Sequence, residues 1–224
     1  MTRPLMIFAA GRGTRMGALT RDRPKPMVEV AGRPLFDHAL DLGRAAGAAP
    51  IVANIHHLRD RIEPHLIARS VVVSAETDAL LDTGGGLRHA LPMLGGGPVY
   101  TLNSDAVWTG PNPLCALDGA WTGGIGALLM LVPLSRALGR AGGGDFAIDA
   151  MGRLSRGGDL VYTGAQIIDP DTLAPHPAPV FSLSEVWTRL AAADQLRGIV
   201  HPGHWADVGR PEGVAIAEDL LSRV

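Results

Sequence analysis

In the first half of the chain, short runs of consecutive hydrophobic residues alternate with segments in which hydrophobic residues recur at helical spacing. Short runs of consecutive apolar residues are typical of buried strands, and apolar residues three or four positions apart are typical of one helix face. The runs that predict strands are 5–9, 50–55, 71–74 and 99–103. The helical spacing is found at 35–46, 58–67 and 87–94. Strands that alternate with helices in this way predict a parallel sheet covered by helices on both faces.

The second half of the chain is less regular, but it adds further strands and two helices. Apolar runs predict strands at 125–132 and 161–168, and a hairpin at 145–154 that turns at Met151-Gly152. One helical stripe is predicted at 183–190. A second closes the chain and comprises Val214, Ala217, Leu221 and Val224. We therefore expect one α/β domain over residues 1–224, with a mixed, mostly parallel sheet and an insert around 136–160.

The composition is that of a folded soluble domain. Apolar residues make up 46% of the 224 positions, which suffices for a packed core. The net charge of -2 and the 4% of aromatic residues give no support for a nucleic-acid partner. No apolar run approaches the ~18 residues that a membrane-spanning helix needs, so no membrane partner is expected. Cys115 is the only cysteine, which excludes a disulfide framework within the chain and fits the reducing cytoplasm.

The segment that follows the first predicted strand has the character of an anion-binding loop. Glycines in Gly11-Arg12-Gly13-Thr14-Arg15 free the backbone N–H groups to face a ligand, and Arg15 adds positive charge. The loop is not a dinucleotide fingerprint, because Gly17 comes one residue too late, and it lacks the lysine of a Walker loop. A polyphosphate site is the interpretation we favour, and the alternative is a glycine-rich turn with solvated arginines.

Lys25 stands out because it is the only lysine in a chain whose Lys+Arg total is 20. Prolines on both sides, Pro24 and Pro26, stiffen the backbone that carries it. A compact ammonium held on a rigid segment suits a phosphate ligand. The alternative is a codon bias toward arginine that left one lysine by accident.

These two segments together resemble the signature of the sugar-1-phosphate nucleotidyltransferases. The resembling residues are Phe8-Ala9-Ala10-Gly11-Arg12-Gly13-Thr14-Arg15-Met16 and Arg23-Pro24-Lys25-Pro26-Met27, followed by Gly32-Arg33-Pro34. Within that family the chain looks most similar to the bacterial N-acetylmuramate-1-phosphate uridylyltransferases of peptidoglycan recycling. The further segments that carry this likeness are 81–86, 103–105, 144–146, 163–165 and 203–209.

The resemblance implies a fold, a reaction and a set of site residues. The fold is a Rossmann-like three-layer sandwich of the nucleotidyltransferase or GT-A-like type, with a nucleotide-binding half at about 1–110 and a sugar-phosphate-binding half at about 111–224. The reaction joins a nucleoside triphosphate to a sugar 1-phosphate. Arg15 and Lys25 are the implied catalytic residues. The implied nucleotide-binding residues are Ala10, Gly11, Gly13, Thr14, Thr83, Gly84 and Gly85, and the implied sugar-binding residues are Asn54, Thr163 and Gly164. Compact relatives act as monomers, so a monomer is expected.

Two aspartates far apart in sequence are candidate ligands for Mg²⁺. Asp105 follows the predicted strand 99–103, and Asp207 lies in the segment 205–209. Magnesium prefers oxygen ligands and often uses one or two carboxylates together with substrate phosphates. On spacing alone, each aspartate is more simply a turn or cap residue. The resemblance implies the metal site, because the family's metal-binding acids match Asp105 and Asp207.

The sequence leaves the substrates open. The resemblance implies UTP and N-acetylmuramate 1-phosphate, but similar chains use GTP with heptose 1-phosphate or CTP with small phosphorylated alcohols. A nucleotide-sugar-binding module without turnover and a pyridoxal enzyme built on Lys25 are alternatives of other classes. Since Lys25 is the only lysine, an arginine or backbone amides must hold the acceptor phosphate. The sequence does not identify that arginine.

Overall fold

The computed structural model describes residues 2–223, which form strands and helices in close alternation. The strands are β1 (Leu5–Phe8), β2 (Glu29–Val30), β3 (Arg33–Pro34), β4 (Ile51–Ile55), β5 (Val72–Ala75), β6 (Val99–Asn103), β7 (Ala106–Trp108), β8 (Ala127–Pro133), β9 (Ala137–Leu138), β10 (Phe146–Ile148), β11 (Leu154–Arg156), β12 (Leu160–Ile168), β13 (Leu196–Val200) and β14 (Trp205–Asp207). The α-helices are α1 (Leu35–Ala45), α2 (Arg59–Ala68), α3 (Asp82–Leu94), α4 (Pro113–Ala120), α5 (Leu183–Ala192) and α6 (Glu212–Leu221).

The large sheet is built around a parallel core. β1 lies between β4 and β6, and β5 continues the sheet beyond β4, all in parallel. β12 joins this core antiparallel to β6. β8 pairs with the other edge of β12, and β13 runs parallel to β8. The prediction of a mixed, mostly parallel sheet is therefore confirmed.

Helices cover both faces of this sheet because successive strand residues point to opposite sides. In β1, Leu5 and Ile7 belong to a core with residues of α1, α2 and α4. Met6, between them, belongs to a second core with residues of α3 and α5. Two helical layers thus enclose one sheet, which is the three-layer arrangement that the resemblance implies.

A second, smaller sheet brings distant parts of the chain together. Its central strand is β14, which pairs antiparallel with β7 and parallel with β9. Helix α6 packs against it through Ala217 and Leu220. The segment 136–160, expected as an insert, is shared between the two sheets. β9 joins the small sheet, and β10 pairs with β11 as a hairpin and with β12 of the large sheet.

The structure differs from the hydrophobic pattern in several places. Helix α3 begins at Asp82, so the glycines at 84–86 lie inside the helix, whereas the pattern placed them before it. Helix α4, strand β13 and the strands of the small sheet are additions to the expected elements. Val224, expected in the closing helix, lies outside the described residues. Within 2–223, each helix is too short or too polar to cross a bilayer.

Candidate active site

A cavity of about 560 Å³ opens where β1, β4 and β6 end. This is the carboxyl edge of the parallel strands, where ligands of such sheets bind. Its lining residues are Phe8, Ala9, Ala10, Gly11, Lys25, Pro26, Asn54, Leu80, Asp82, Thr83, Asn103, Ser104, Asp105 and Val180. The volume is in the range that holds a nucleotide-sized ligand.

The glycine loop leaves β1 and turns back over Lys25. Gly13 has a φ of 63°, in the left-handed region that favours glycine. A Cβ atom at Gly13 would lie 2.8 Å from Lys25 Cβ and 3.1 Å from Thr20 Cγ2. The Thr20 hydroxyl donates to the Gly13 carbonyl oxygen at 3.0 Å. Gly13 is therefore required by its backbone conformation and by its close approach to the lone lysine.

Lys25 is buried at the cavity wall, with 8% of its surface exposed. It begins a short 3₁₀ turn, Lys25–Met27, in which the Val28 N–H donates to the Lys25 carbonyl oxygen at 3.0 Å. Its ammonium nitrogen Nζ lies 2.7 Å from Oδ2 of Asp105. A buried ammonium needs a partner, and this carboxylate supplies it. The lone lysine thus has a fixed position beside the glycine loop.

The small sheet places Asp207 next to Asp105. Asp207 is the register partner of Ala106, and the Val208 N–H donates to the Asp105 carbonyl oxygen at 2.9 Å. Burial raises the pKa of the Asp207 carboxyl above its ordinary value, and the charge of Asp105 raises it further. The positive charges of three neighbours oppose this shift: Lys25, Arg15 and Arg140. The two aspartates are thus close enough to repel each other, and cations surround them.

The two carboxylates fit a magnesium ion that completes its shell with substrate. No group of three or more histidine, cysteine, aspartate or glutamate side chains within 2–223 could form a metal cage. Magnesium is ordinarily held by one or two carboxylates plus phosphate oxygens and water, and seldom by an all-protein cage. A divalent cation would also relieve the repulsion between Asp105 and Asp207. The donor set therefore suits Mg²⁺ bound together with a triphosphate.

Asn54 and Glu76 form a buried hydrogen-bonded link across the cavity floor. Both are 3% exposed. The Asn54 Oδ1 atom accepts from the Ala9 N–H at 2.9 Å, and its Nδ2 donates to Glu76 Oε1 at 2.7 Å. The other carboxylate oxygen of Glu76 accepts from the Leu81 N–H at 2.8 Å. This link joins the end of β1 to the entrance of α3, so Asn54 has a structural task besides lining the cavity.

The glycines at the start of α3 make room for the segment 179–181. The N–H groups of Gly84 and Gly85 both donate to the Phe181 carbonyl oxygen, at 2.9 and 3.1 Å. A Cβ at Gly84 would lie 2.4 Å from the Phe181 ring, and one at Gly85 would lie 2.4 Å from the Pro179 carbonyl oxygen. Thr83 lines the cavity, and its hydroxyl oxygen accepts from the Leu183 N–H at 3.0 Å. Tertiary packing thus explains why glycines lie in the first turn of α3.

Some of the expected site residues line the cavity, and others lie outside its lining. Those that line it are Ala10, Gly11, Lys25, Asn54, Thr83 and Asp105. Gly13 is the residue before a 3₁₀ helix, Thr14–Thr20, which contains Thr14 and Arg15, and Asp207 lies on the neighbouring small sheet. Gly84 and Gly85 face Phe181 and Pro179.

Thr163 and Gly164, expected in the sugar pocket, do not line the cavity. Thr163 is 1% exposed, and its hydroxyl donates to the Met130 carbonyl oxygen at 2.7 Å. Gly164 has a φ of 85°, and a Cβ there would lie 2.6 Å from Asn103 Cβ. Thr163 and Gly164 thus help to position β12 behind Asn103. Asn103 itself lines the cavity. A sugar contact of either residue stays a prediction without geometric support.

The sequence alone missed three features of this region. Glu76 follows the end of β5, and its position at a strand end was the available signal. Leu80 and Val180 form an apolar wall from two segments, and 47% of Val180 is exposed. Strand pairing in the small sheet places Gly139, the residue before Arg140, beside Asp207, and this pairing leaves no spacing signal in the sequence.

Comparisons with known proteins agree with this geometry. Residues 5–201 match the family model described as the MobA-like NTP transferase domain. The chain is 40% identical over 97% of its length to a Caulobacter vibrioides protein named N-acetylmuramate alpha-1-phosphate uridylyltransferase, 96% of which is covered. A Neisseria meningitidis protein of the same name is 34% identical over 91% of this chain and 92% of its own. The solved inositol-1-phosphate CTP transferase of T. maritima shares the fold, with a TM-score of 0.82, 16% identity and coverage of 99% of this chain and 96% of that one.

Proposed function

The chain belongs to the family of MobA-like NTP transferase domains, and from that premise we propose that it joins UTP to N-acetylmuramate 1-phosphate. The products are the UDP-sugar and pyrophosphate. The choice of these substrates is supported by the two relatives that carry the name of this reaction and match nearly the whole chain. The observation that carries the proposal is the Lys25–Asp105 pair at the cavity wall, with Asp207 nearby on strand β14.

The reaction is an in-line displacement at the α-phosphorus. An oxygen of the sugar phosphate forms a bond to that phosphorus, and the bond to the oxygen that bridges the α- and β-phosphates breaks. The electron pair of that bond leaves with pyrophosphate. The attacking phosphate is already ionised at neutral pH, so no general base is needed. Catalysis then depends on positioning and on neutralising charge.

Each charged residue of the site has a distinct task in this proposal. Lys25 neutralises the α-phosphate and the incoming phosphate, and Asp105 fixes the direction of its ammonium group. Arg15 and the N–H groups of the glycine loop bind the β- and γ-phosphates, where charge grows as pyrophosphate leaves. Asp105 and Asp207 hold Mg²⁺, which when bound supplies positive charge at the α-phosphate.

We propose that the two substrates bind to different parts of the chain. The nucleotide occupies the region built by about 1–110, which contributes thirteen of the fourteen lining residues named above. The sugar phosphate approaches from about 111–224, within the same domain. We further propose that the protein acts as a monomer in the cytoplasm, where UTP is available, and sedimentation analysis of the purified protein tests the oligomeric state.

A substrate matrix tests this function. ATP, CTP, GTP and UTP are each combined with N-acetylmuramate, glucose, mannose and heptose 1-phosphates, and pyrophosphate release is measured with Mg²⁺. We expect the highest kcat/KM for UTP with N-acetylmuramate 1-phosphate, and loss of turnover when EDTA removes the metal. Preferred use of GTP with heptose 1-phosphate would establish the alternative enzyme. Tight nucleotide-sugar binding without pyrophosphate release would establish a binding module.

A further inference from the structure

The proposed reaction brings a second phosphate dianion to a site whose only lysine is shared between Asp105, the α-phosphate and the incoming phosphate. We propose that Arg140 binds the phosphate group of the acceptor, a sugar 1-phosphate. This inference rests on the proposed function, because it names the residue that binds the second substrate of that reaction.

Strand pairing in the small sheet places Arg140 beside the two aspartates. Asp207 lies opposite Ala106, the residue after Asp105, on one side of β14. On the other side, Leu138 lies opposite Ala206, so the next residue, Gly139, falls beside Asp207. A Cβ at Gly139 would lie 2.5 Å from the Asp207 carbonyl oxygen, and its φ of 71° turns the chain there. Arg140 follows directly, on the side of Asp207 away from Asp105.

The guanidinium group of Arg140 is fixed but still accessible. Its Nη2 atom donates to Asp145 Oδ1 at 2.6 Å and to the Gly143 carbonyl oxygen at 3.3 Å. The other oxygen of Asp145 accepts from the Tyr162 N–H at 2.9 Å, so β12 holds the carboxylate in place. The Arg140 side chain is 24% exposed, and within residues 2–223 no acceptor binds its Nη1 atom. A preorganised guanidinium with a free edge is suited to a phosphate.

In-line displacement explains why this position is useful. The nucleophile and the leaving pyrophosphate must approach the α-phosphorus from opposite sides. Arg15 and the glycine loop belong to the first part of the chain, which we assign to pyrophosphate. Arg140 follows Gly139, which lies on the side of Asp207 away from Asp105. In this assignment the incoming phosphate and the leaving pyrophosphate each have an arginine of their own.

Two other arginines near this region make their hydrogen bonds away from Asp207. Arg136, at the other end of β9, donates to the Pro202 carbonyl oxygen. Arg156 donates to Ser184 and lies over the rings of Phe146 and Trp187. Arg140 is the remaining candidate in this group.

The test compares Arg140→Gln with Arg136→Gln, a matched loss of one guanidinium from the same segment. We expect Arg140→Gln to raise the KM for the sugar 1-phosphate by about ten- to a hundredfold, the usual effect of losing a charged hydrogen bond. Its KM for UTP should stay within about twofold of wild type, and Arg136→Gln should leave both constants unchanged. Arg140→Lys should restore part of the affinity. Asp145→Asn, which loosens the guanidinium, should give an intermediate KM.

A binding measurement separates this inference from the proposed function. Thermal melting first shows that wild type and Arg140→Gln are both folded. N-acetylmuramate 1-phosphate and N-acetylmuramate are then titrated calorimetrically into each protein in metal-free buffer. The preference for the phosphorylated sugar should be lost in the variant. The role of Arg140 is overturned if the variant keeps the wild-type preference for the phosphorylated sugar. It is also overturned if the variant's KM for UTP rises as much as its KM for the sugar 1-phosphate. If wild type transfers no nucleotide to any acceptor, the proposed function fails, while this titration still decides whether Arg140 binds the phosphate.

Discussion

The cavity has two regions that use their polar groups in different ways. In the charged region (Lys25, Asp105 and Asp207), like charges are brought together and the carboxylates keep capacity for a ligand. In the hydrogen-bonded region (Asn54, Glu76 and the start of α3), the polar groups bind one another and the backbone. Both regions contain residues of the family-like segments, but only the first has charged groups suited to a phosphate ligand.

This difference indicates that the charged region serves the proposed reaction and that the hydrogen-bonded region maintains the shape of the cavity. Groups that must neutralise a substrate cannot be fully neutralised by the protein, so the charged region is less stable than it could be. Groups that set the shape of the cavity stabilise the fold, and they have little hydrogen-bonding capacity left for a ligand. Substitutions in the charged region should therefore remove activity and spare the fold, and substitutions in the hydrogen-bonded region should reduce both together.

The largest effect on activity is expected at Lys25. Lys25→Ala should lower kcat/KM by about a thousandfold, because it removes a positive charge from a transition state that gains negative charge. The melting temperature should fall only modestly, because Asp105 loses its partner but 30% of its side chain is exposed to water, and the cost of burying the ammonium is removed. Pyrophosphate release and thermal melting measure the two quantities. Lys25→Met keeps the side-chain volume and serves as the control for packing, and near-normal turnover by either variant would contradict the assigned role.

The largest effect on stability is expected at Gly85. A Cβ there would lie 2.4 Å from the Pro179 carbonyl oxygen, so Gly85→Ala must push the segment 179–181 away from α3. We expect the free energy of unfolding to fall by about 1–3 kcal/mol, as for other overpacked sites. Gly119→Ala is the matched control, because Gly119 lies in helix α4 with no atom within 4 Å of the added methyl group. Urea unfolding of both variants measures the difference, and equal stabilities would show that the segment does not need this close contact.

A third prediction concerns the Asn54–Glu76 link. Glu76→Gln replaces an acceptor by an amide donor that must face either Asn54 Nδ2 or the Leu81 N–H, both of which are donors. The free energy of unfolding should fall by about 1–3 kcal/mol, the cost of an unsatisfied buried group, and the KM for UTP should rise as the glycine loop loses its support.

The double variant Glu76→Gln with Asn54→Asp provides the control for this link. The new glutamine can accept from the Leu81 N–H and donate to the new aspartate, which still accepts from the Ala9 N–H. Each hydrogen bond of the link then has a donor and an acceptor again. We expect the double variant to recover stability relative to Glu76→Gln. Additive losses in urea unfolding would indicate that the two side chains act independently.

The parallel core and the glycine loop could be predicted because their signals are local. Each strand of the core is a continuous apolar run, and the loop and Lys25 lie within one short stretch of sequence. The helix α4 also had a local signal that the hydrophobic pattern overlooks. Asn112 caps it by accepting from the Leu114 N–H at 2.9 Å, and Pro113 follows at the first helical position.

The rest of the site depends on contacts between distant segments, which a single sequence does not encode locally. Strands β7, β9 and β14 have two or three residues each, too few to show a period, yet their register brings Asp105, Asp207 and Arg140 together. Thr163 shows how residue type alone can suggest a role that the geometry does not support. Its residue type suits a sugar pocket, but the fold directs its hydroxyl to the Met130 carbonyl oxygen.

The smallest effect is expected from the charge of Asp207 itself, and it tests whether the charged region lowers stability. The pKa of this carboxyl is raised in the folded protein by burial and by Asp105, so its ionised form is favoured less in the folded state than in the unfolded state. Asp207→Asn removes this penalty, and the melting temperature at pH 7 should rise by about 2 °C. The gain should shrink as pH falls through the folded-state pKa and vanish below the ordinary aspartate value of about 3.9, where the wild-type group is protonated in both states. Thermal melting of both proteins between pH 3 and pH 8 measures this difference. A wild type more stable than the variant at pH 7 would mean that Lys25, Arg15 and Arg140 more than offset the burial of this carboxylate, and the charged region would then stabilise the fold as the hydrogen-bonded region does.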